Sequence, residues 1–344
     1  MSPPAPAGGS GHVDLRSDTV TRPTDGMRAA MAAAEVGDDV YREDPEAIRL
    51  QEEVADLLGF EAGLFTPSGS MANQLGLRLL AKPGEEVVCD SLAHIARAEL
   101  GAAAVLSGIT FRTWQATAGR LDVGEVAALI APSAGPYLVS TTAIAVENTH
   151  NFGGGTVQSP EQLSAVGELA RAHGLGLHLD GARLWNAHVA TGTSLRGLAA
   201  RFDTVSVCLS KGLGAPVGSV LVSTADRIAE AWTWRKRLGG GMRQVGVLAA
   251  AGRYALKHNL ALLADDHRRA RRLAEGLGLD PSTVESNIVM LDVADAARVA
   301  AHSAEQGVLV AALGPRLLRL VTHLDVGDAG VERAVGVLAP LVAG

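Results

Sequence analysis

Short β-like runs alternate with helix-like runs from about residue 45 to residue 240, and this alternation limits the possible folds more than any other feature. Strands that are separated by helices pair mainly in parallel, because each helix carries the chain back across the sheet. The sequence therefore predicts a three-layer α/β domain with a mostly parallel sheet covered by helices. Predicted helices are 45–58, 71–80, 160–173 and 225–238, and predicted strands are 86–89, 139–146, 175–179, 204–209 and 218–222.

A long helical pattern without proline runs from 244 to about 277, and its basic second half indicates a solvated face. After it, a second and shorter alternation predicts a smaller α/β domain. Its strands are predicted at 283–293, 308–312 and 317–322, and its helices near 295–305 and 328–342. We therefore expect a floppy tail over 1–11, a large domain over 12–250 and a small C-terminal domain over 251–344.

Charge and cysteine content narrow the class of protein. The formal net charge is −7 with both signs scattered along the chain, so we expect no nucleic acid and no membrane as partner. Cys89 and Cys208 each lie in an apolar run, which is typical of small buried hydrophobic residues rather than of a metal site or a disulfide framework. The chain begins without a basic stretch followed by an apolar one, so we expect a cytoplasmic protein.

Lys211 lies where an apolar strand pattern ends and glycines begin, and it is one of only four lysines in the chain. At the end of a buried strand, loss of solvation favours the neutral amine that attacks a carbonyl group. A lysine side chain that extends from the strand end into water is the simpler interpretation. The neighbouring motifs decide between the two.

Asp180 closes another strand-like run and is followed by Gly181. A carboxylate at that position can hold a proton on the nitrogen of a heteroaromatic ring, although an Asp before Gly is more often only a turn residue. Arg183 could bind a carboxylate through two bonds or form a surface ion pair. Because ligands bind at the carboxyl ends of strands in such sheets, we expect Asp180 and Lys211 to converge.

Ser68, Gly69 and Ser70 stand between a strand-like run and a helix-like run. The free N–H groups and hydroxyls at a helix N-terminus bind phosphate, whereas the alternative is an ordinary serine N-cap. Arg243 follows three glycines and is either a phosphate clamp or part of a flexible linker. His94 near a helix start is either a ring that stacks on a cofactor or a structural histidine.

Together, these groups match what binds pyridoxal 5′-phosphate (PLP) in proteins. They are one amine, one carboxylate at a strand end, a Ser/Gly phosphate site and further arginines. The glycines after Lys211 do not form Gly-x-Gly-x-x-Gly, and neither a Walker sequence nor His-Glu-x-x-His is present. We therefore expect PLP as the cofactor and no metal.

The chain also resembles the low-specificity L-threonine aldolases, which belong to the fold-type I, aspartate aminotransferase-like PLP enzymes. The resemblance covers nearly the whole chain after the tail. Its motifs are Asp14-Leu-Arg-Ser-Asp-Thr-Val-Thr-Arg-Pro23, Gly37-Asp-Asp-Val-Tyr41 with Asp44-Pro45, Pro67-Ser-Gly-Ser-Met-Ala-Asn-Gln74, Glu147-Asn-Thr-His-Asn151, Asp180-Gly-Ala-Arg183, Leu209-Ser-Lys-Gly-Leu-Gly214, Trp234-Arg-Lys236, Gly239-Gly-Gly-Met-Arg-Gln244 and Arg319-Leu-Val-Thr-His-Leu-Asp325.

The resemblance implies cleavage of L-threonine and L-allo-threonine to glycine and acetaldehyde, by a homo-oligomer whose dimers share active sites and pair into a homotetramer. It also implies a role for each matching residue. Lys211 would bind the cofactor as a Schiff base, Asp180 would hold the ring nitrogen and His94 would stack on the ring. The phosphate would be held by Gly69, Ser70 and a neighbouring subunit's Arg243. The substrate carboxylate would be bound by Ser17, Arg183 and Arg319, with Lys236 as a further contributor.

Two positions depart from the resemblance. Tyr137 stands where some members carry a histidine that faces the substrate β-hydroxyl, and Ala98 stands where some carry a bulky aromatic residue. The preference between threonine and allo-threonine therefore stays open. The base that removes the hydroxyl proton is either His94 or an ordered water.

Two other functions compete with the aldolase. A β-eliminating lyase or an aminotransferase would use the same cofactor and differ in its products. A catalytically silent α/β scaffold that binds a phosphate ligand is the alternative outside enzymes, although it would have no reason to place a scarce lysine among these motifs.

Overall fold

The structure is a computed structural model that describes residues 11–342, so residues 1–10 of the expected tail lie outside the described part of the chain. The strands of this part are as follows. They are β1 (Val13–Asp14), β2 (Ala62–Thr66), β3 (Glu86–Asp90), β4 (Thr110–Trp114), β5 (Thr141–Glu147), β6 (Gly176–Gly181), β7 (Thr204–Cys208), β8 (Ser219–Ser223), β9 (Ile288–Asp292), β10 (Val308–Leu309), β11 (Ala311–Ala312) and β12 (Leu317–Val321).

The α-helices alternate with the strands over most of the chain, as the sequence predicts. They are α1 (Asp25–Ala32), α2 (Pro45–Leu58), α3 (Gly69–Leu80), α4 (His94–Arg97), α5 (Ala102–Ser107), α6 (Val123–Leu129), α7 (Pro160–Ala172), α8 (Leu184–Thr191), α9 (Leu195–Ala199), α10 (Ala225–Arg237), α11 (Gly246–His258), α12 (Leu263–Gly276), α13 (Ala296–Glu305) and α14 (Asp328–Val342).

Strands β2 to β8 form the central sheet in the order β2-β8-β7-β6-β5-β3-β4. The four pairs from β7 to β4 are parallel, whereas β8 runs antiparallel to both β7 and β2. Every residue of β7 and β8 is buried, as expected when helices cover both faces of a sheet. The prediction of a mostly parallel α/β sheet is confirmed.

Local sequence explains where the helices near the site begin. Ser68 is the N-cap of α3, and its side-chain oxygen accepts a hydrogen bond from the Met71 N–H at 3.2 Å. Ala93 is the N-cap of α4, which makes His94 the first residue of that helix. Both helices therefore begin next to the carboxyl ends of the strands that precede them.

Three predicted elements are wrong in detail. The helical pattern over 244–277 is broken at Asn259, whose side chain donates to the Leu213 carbonyl at 2.8 Å and is followed by a 3-10 turn, Leu260–Leu262. The strand predicted over 283–293 is only β9, since Asp280 caps a 3-10 turn, Pro281–Thr283, that includes the first residue of the prediction. The strand predicted over 308–312 is split between two sheets, with β10 beside β1 and β11 beside β12.

Two large apolar clusters underlie the fold. One contains residues from Met27 to Leu263 and packs around the central sheet. The other combines residues from Ala270 onward with Val13 and Leu15, because β1 pairs in parallel with β10. The division at residue 250 stays a prediction.

Within residues 11–342, the helices are too short or too polar to cross a membrane.

Candidate active site

The candidate site lies at the carboxyl ends of the parallel strands. Glu147 ends β5 and is paired in register with Asp180, which lies one residue before the end of β6. Lys211 follows β7 by three residues. The backbone carbonyl of Lys211 accepts a hydrogen bond from the Thr21 hydroxyl at 3.0 Å, so the N-terminal segment lies against this loop.

Asp180 is almost fully buried, and both of its carboxylate oxygens are bound. Oδ2 accepts a hydrogen bond from Asn73 Nδ2 at 2.8 Å, and Oδ1 accepts one from the Ala182 N–H at 3.1 Å. Burial alone would raise the pKa of Asp180, but nearby His94 and Lys211 hold it below its ordinary value. An ionised carboxylate therefore faces the same space as the amine of Lys211.

His94 lies on the other side of this carboxylate, and two glutamates hold it. Its Nδ1 lies 2.9 Å from Glu99 Oε1, and its backbone N–H donates to Glu147 Oε2 at 2.6 Å. Burial alone would lower the pKa of His94, but the hydrogen bond to Glu99 and the charges of Asp180, Glu99 and Glu147 raise it. Sequence reasoning singled out His94 but did not identify Glu99.

The ligand atoms of His94, Glu99 and Asp180 lie within 4.8 Å of one another, an arrangement that could hold a cation. These atoms already have partners in the protein, since Asn73 Nδ2 donates to both carboxylates at 2.8 Å. The hydrogen-bond network therefore accounts for the cluster without an ion, and the expectation of no metal stays a prediction.

Arg183 binds a carboxylate through two bonds, but that carboxylate belongs to Asp18. Arg183 Nε and Nη2 each donate to Asp18 at 2.7 Å, and both side chains are buried. The alternative of a surface ion pair is therefore wrong. Since Asp18 occupies two of the three guanidinium nitrogens of Arg183, a substrate could contact this residue only through Nη1. That contact stays a prediction.

A second arginine lies beside this pair. Arg319 on β12 donates through Nη1 to Asn151 Oδ1 at 2.8 Å, and Arg183 Nη1 donates to the same oxygen at 3.2 Å. Burial and the charge of Arg183 lower the pKa of Arg319 to about 10. Arg319 Nη2 also donates to the Arg16 carbonyl at 3.0 Å, so the backbone next to Ser17 lies beside Arg319, while the Ser17 hydroxyl oxygen accepts from the Thr19 N–H at 3.2 Å.

The N-terminal half of α3 reaches the same space, since Asn73, its fifth residue, binds Asp180. Gly69 fits closely against the sheet: a Cβ atom there would lie 2.7 Å from Cys208 Sγ. Ser70 is half-buried, while the Ser68 side chain is used as the N-cap. The N-cap interpretation of Ser68 is thus confirmed. Because the Met71 N–H is bound by this cap, the N–H groups of Gly69 and Ser70 are the ones left without a partner inside the helix, and they could bind an anion.

Arg243 and Lys236 lie away from this group within the chain. Arg243 is 61% exposed and forms an ion pair with Asp38 at 3.2 Å. Lys236 is exposed in the last turn of α10, beside Gly241. The part of the chain that the structure describes therefore gives neither residue a contact with Asp180 or His94.

Tyr137 is not brought to the site within one chain. Its side chain is 92% exposed in the loop before β5, and the first residue of β5, Thr141, pairs with Glu86 at the start of β3. This loop lies at the amino ends of the strands, whereas Asp180 and Glu147 lie at the carboxyl ends. The expectation that Tyr137 faces the β-hydroxyl is therefore not met by the residues of one chain. Ala98 ends α4 and is exposed.

Sequence reasoning missed four residues that hold the site together, namely Asp18, Asn73, Glu99 and Asn151. Asp18, Asn73 and Asn151 lie inside the motifs on which the resemblance to the family rests. The sequence alone does not show which side chains they bind. Glu99 lies outside those motifs, and no signal in the sequence pointed to it.

Comparisons with known proteins identify the family. The profile described as Beta-eliminating lyase matches residues 14–297. A probable low-specificity L-threonine aldolase 2 from Arabidopsis thaliana is 44% identical over 334 residues, which are 93% of this chain and 94% of that protein. The low specificity L-threonine aldolase of Escherichia coli K12 is 45% identical over 320 residues, 91% of this chain and 94% of that protein.

The chain belongs to the low-specificity L-threonine aldolase family. The fold agrees with this assignment. The solved threonine aldolase of Leishmania major superposes with a TM-score of 0.81 at 23% identity, covering 96% of this chain and 99% of that one. The fold is therefore that of the fold-type I PLP enzymes, as the sequence predicted.

The residues of this aldolase site fit PLP chemically. A primary amine can bind an aldehyde, the ionised Asp180 can hold a proton on a ring nitrogen, and the start of α3 can bind a phosphate. Gly69 lies so close to Cys208 that a larger side chain would not fit between α3 and the sheet. The donor set thus matches the three functional groups of that cofactor.

Proposed function

We propose that this chain uses PLP to cleave L-threonine, L-allo-threonine and other L-3-hydroxy-amino acids to glycine and an aldehyde. The observation that supports this proposal best is the convergence of Lys211, Asp180 and His94 at one end of the sheet, beside the N-terminus of α3. Membership of the low-specificity L-threonine aldolases gives the substrate class.

Each residue then has a defined task. Lys211 binds the cofactor's aldehyde, Asp180 keeps the ring nitrogen protonated, and Gly69 and Ser70 hold the phosphate. When bound, PLP supplies an electron sink for the pair of electrons released from the broken Cα–Cβ bond. Arg319 and Ser17, with Arg183 beside them, bind the substrate carboxylate and thereby orient the bond that breaks.

The direct test is spectroscopic and chemical. Purified protein should be yellow and should lose its visible absorbance on treatment with borohydride. It should then convert L-threonine to acetaldehyde and glycine. Formation of a pyruvate-type product would favour the β-eliminating lyase, and amino transfer to a 2-oxo acid would favour the aminotransferase. A colourless protein without any of these activities would favour the silent scaffold.

Arg319→Lys tests the carboxylate site. Lysine cannot offer two parallel N–H bonds, so we expect KM for threonine to rise by about tenfold or more while the affinity for PLP stays within about twofold. Steady-state kinetics and a PLP titration measure the two quantities. Arg316→Lys, an exposed arginine paired with Asp292 near the start of β12, is the control and should change neither value. An unchanged KM in Arg319→Lys would contradict the carboxylate assignment.

We further propose that the active site is shared between subunits. Arg243 is exposed and does not contact its own chain's Asp180 or His94, as expected if it serves a neighbouring subunit's phosphate site. Lys236 and Tyr137 are also exposed and could reach a neighbour's site in the same way. A homodimer with shared sites, paired into a homotetramer, would satisfy all three positions.

Mixing inactive chains tests this sharing. Lys211→Ala and Arg243→Ala chains should each be nearly inactive alone. If Arg243 acts on a neighbour, one site of a mixed dimer combines an intact Lys211 with the partner's intact Arg243, and dissociation followed by reassociation should restore up to about a quarter of the wild-type activity. This share follows because half of randomly paired dimers are mixed and each has one working site of two. No recovery after verified subunit exchange would place Arg243 in its own chain's site.

We also propose a cytoplasmic location and a role in threonine breakdown and glycine formation. Two free, buried cysteines among the described residues support a reducing compartment. Cell fractionation with an antibody against the chain would test the location.

A further inference from the structure

Glu99 is the most firmly held side chain of the site. It is completely buried, and three donors surround its carboxylate: His94 Nδ1 at 2.9 Å and Asn73 Nδ2 at 2.8 Å on Oε1, and Gln74 Nε2 at 2.6 Å on Oε2. Asn73 and Gln74 are buried neighbours in the first turns of α3. Two of the three donors that hold Glu99 therefore belong to a helix that begins at the proposed phosphate site, and these two do not depend on His94.

The orientation of Asn73 is fixed in turn. Its Oδ1 receives the Ser206 hydroxyl at 2.5 Å and lies 3.2 Å from His178 Nε2, while its Nδ2 donates to Asp180 and Glu99. The reverse orientation would point the amide oxygen at two carboxylates, which repel it. Glu99 and Asp180 are consequently both acceptors of one amide group.

The hydrogen bond to Glu99 determines the tautomer and favours the charged form of His94. An ionised carboxylate only accepts hydrogen bonds, so His94 Nδ1 carries a proton. The charges that act on the ring besides that of Glu99 are those of Asp180 on β6 and Glu147 on β5, both acidic, while the α3 side chains that bind Glu99, Asn73 and Gln74, are neutral. His178, behind Asp180, is kept neutral because burial lowers its pKa to about 4. Lys211, in the loop after β7, is the basic residue that faces Asp180 from that side.

We propose that Glu99 is a positioning residue that keeps His94 doubly protonated, so that His94 meets the bound amino acid as a hydrogen-bond donor through Nε2. This inference rests on the proposed function for its consequence, although the charge of His94 does not depend on it. His94 Nε2 is available to act in this way, because Glu99 binds only Nδ1 and the His94 side chain is 29% exposed. The cation would attract the substrate's hydroxyl oxygen and would also disfavour His94 as the base for its proton.

The test measures the protonation of His94 directly, by NMR of ring-labelled histidine in the protein with and without PLP. In the wild type, both ring nitrogens should carry protons at pH 7, and His94 should titrate above the ordinary value of about 6.5. In Glu99→Gln, whose side chain has the same shape and no charge, the midpoint should fall by about one pH unit or more, a tenfold loss of proton affinity. Glu125→Gln removes an exposed carboxylate from α6 and should leave the midpoint unchanged.

Glu99→Asp is the conservative variant, and it should retain a midpoint above that of Glu99→Gln because it keeps the charge. If neither variant folds, the wild-type titration alone decides: a midpoint below about 6.5 overturns the proposal. An unchanged midpoint in folded Glu99→Gln also overturns it.

The pH dependence of kcat/KM gives an independent reading. If His94 acts as a donor, the alkaline limb of the profile should move to lower pH in Glu99→Gln, since the cation is lost earlier. Movement of the acid limb instead would mean that His94 acts as the base and would overturn the proposal. A wild-type protein that shows the expected titration but does not cleave threonine would refute the proposed function and leave the role of Glu99 toward His94 intact.

Discussion

Replacement of Lys211 by alanine should abolish both the colour and the activity of the protein. Alanine has no amine, so the cofactor cannot be bound covalently, and turnover should fall by several orders of magnitude because the step that exchanges cofactor between enzyme and substrate is lost. The fold should be retained, since Lys211 lies in a loop after β7 and is half-buried. Absorbance spectra and a threonine cleavage assay measure the two losses.

Lys257→Ala is the matched control for this variant. Lys257 is exposed in the last turn of α11, and its loss should change neither the visible absorbance nor the rate. If Lys211→Ala kept its borohydride-sensitive absorbance and still cleaved threonine, another of the four lysines would be the one that binds the cofactor.

Replacement of Asp18 by asparagine should destabilise the protein more than any other single change of a carboxylate discussed above. The variant leaves the buried guanidinium of Arg183 without its counter-ion, and removing one partner of a buried pair costs about 3 to 5 kcal/mol. The midpoint of urea unfolding of the cofactor-free protein, at fixed protein concentration, measures the loss. Asp292→Asn, which breaks an exposed pair with Arg316, should cost no more than about 1 kcal/mol.

The same pair predicts a dependence on pH. Burial alone would raise the pKa of Asp18, but Arg183 and, more weakly, Lys211 and Asn287 hold it well below its usual range. A lowered pKa stabilises the folded state above the unfolded pKa of about 4, and this contribution is lost as the pH falls toward the folded value. The difference in urea midpoint between wild type and Asp18→Asn should therefore shrink below about pH 4. A difference that stays constant down to pH 2.5 would contradict the ion pair.

The large sheet was predictable because its signal is local. Most strands are short apolar runs and helices such as α2, α3 and α7 begin at a side-chain cap, so positions such as Ser68 and Asp180 could be assigned from neighbouring residues. The break at Asn259 was not predictable, because it depends on a hydrogen bond to Leu213, 46 residues away in the sequence. The helical pattern itself continues through the break.

The site divides in the same way. Lys211, Asp180 and His94 could be proposed because strand ends converge at one end of a parallel sheet. The partner of Arg183 could not be predicted, since Asp18 lies 165 residues earlier and any acidic residue of the chain could have formed the same ion pair. For Tyr137, the resemblance to the family predicted a contact with the substrate. Within one chain, however, its side chain is exposed and does not reach the site.

The N-terminal segment has a consequence for the synthesis of the protein. Strand β1 pairs with β10, and His323 Nε2 donates to the carbonyl of Asp14, a residue 309 positions earlier. A ribosome therefore releases Ser17 and Asp18 long before it makes Arg183 and Asn287, which bind Asp18, and the strands β10 and β12. The central sheet can form while the chain is still growing, but the substrate end of the site can assemble only in the last moments of translation or after release. Nascent chains that stop before β12 should be compact and unable to bind an amino acid.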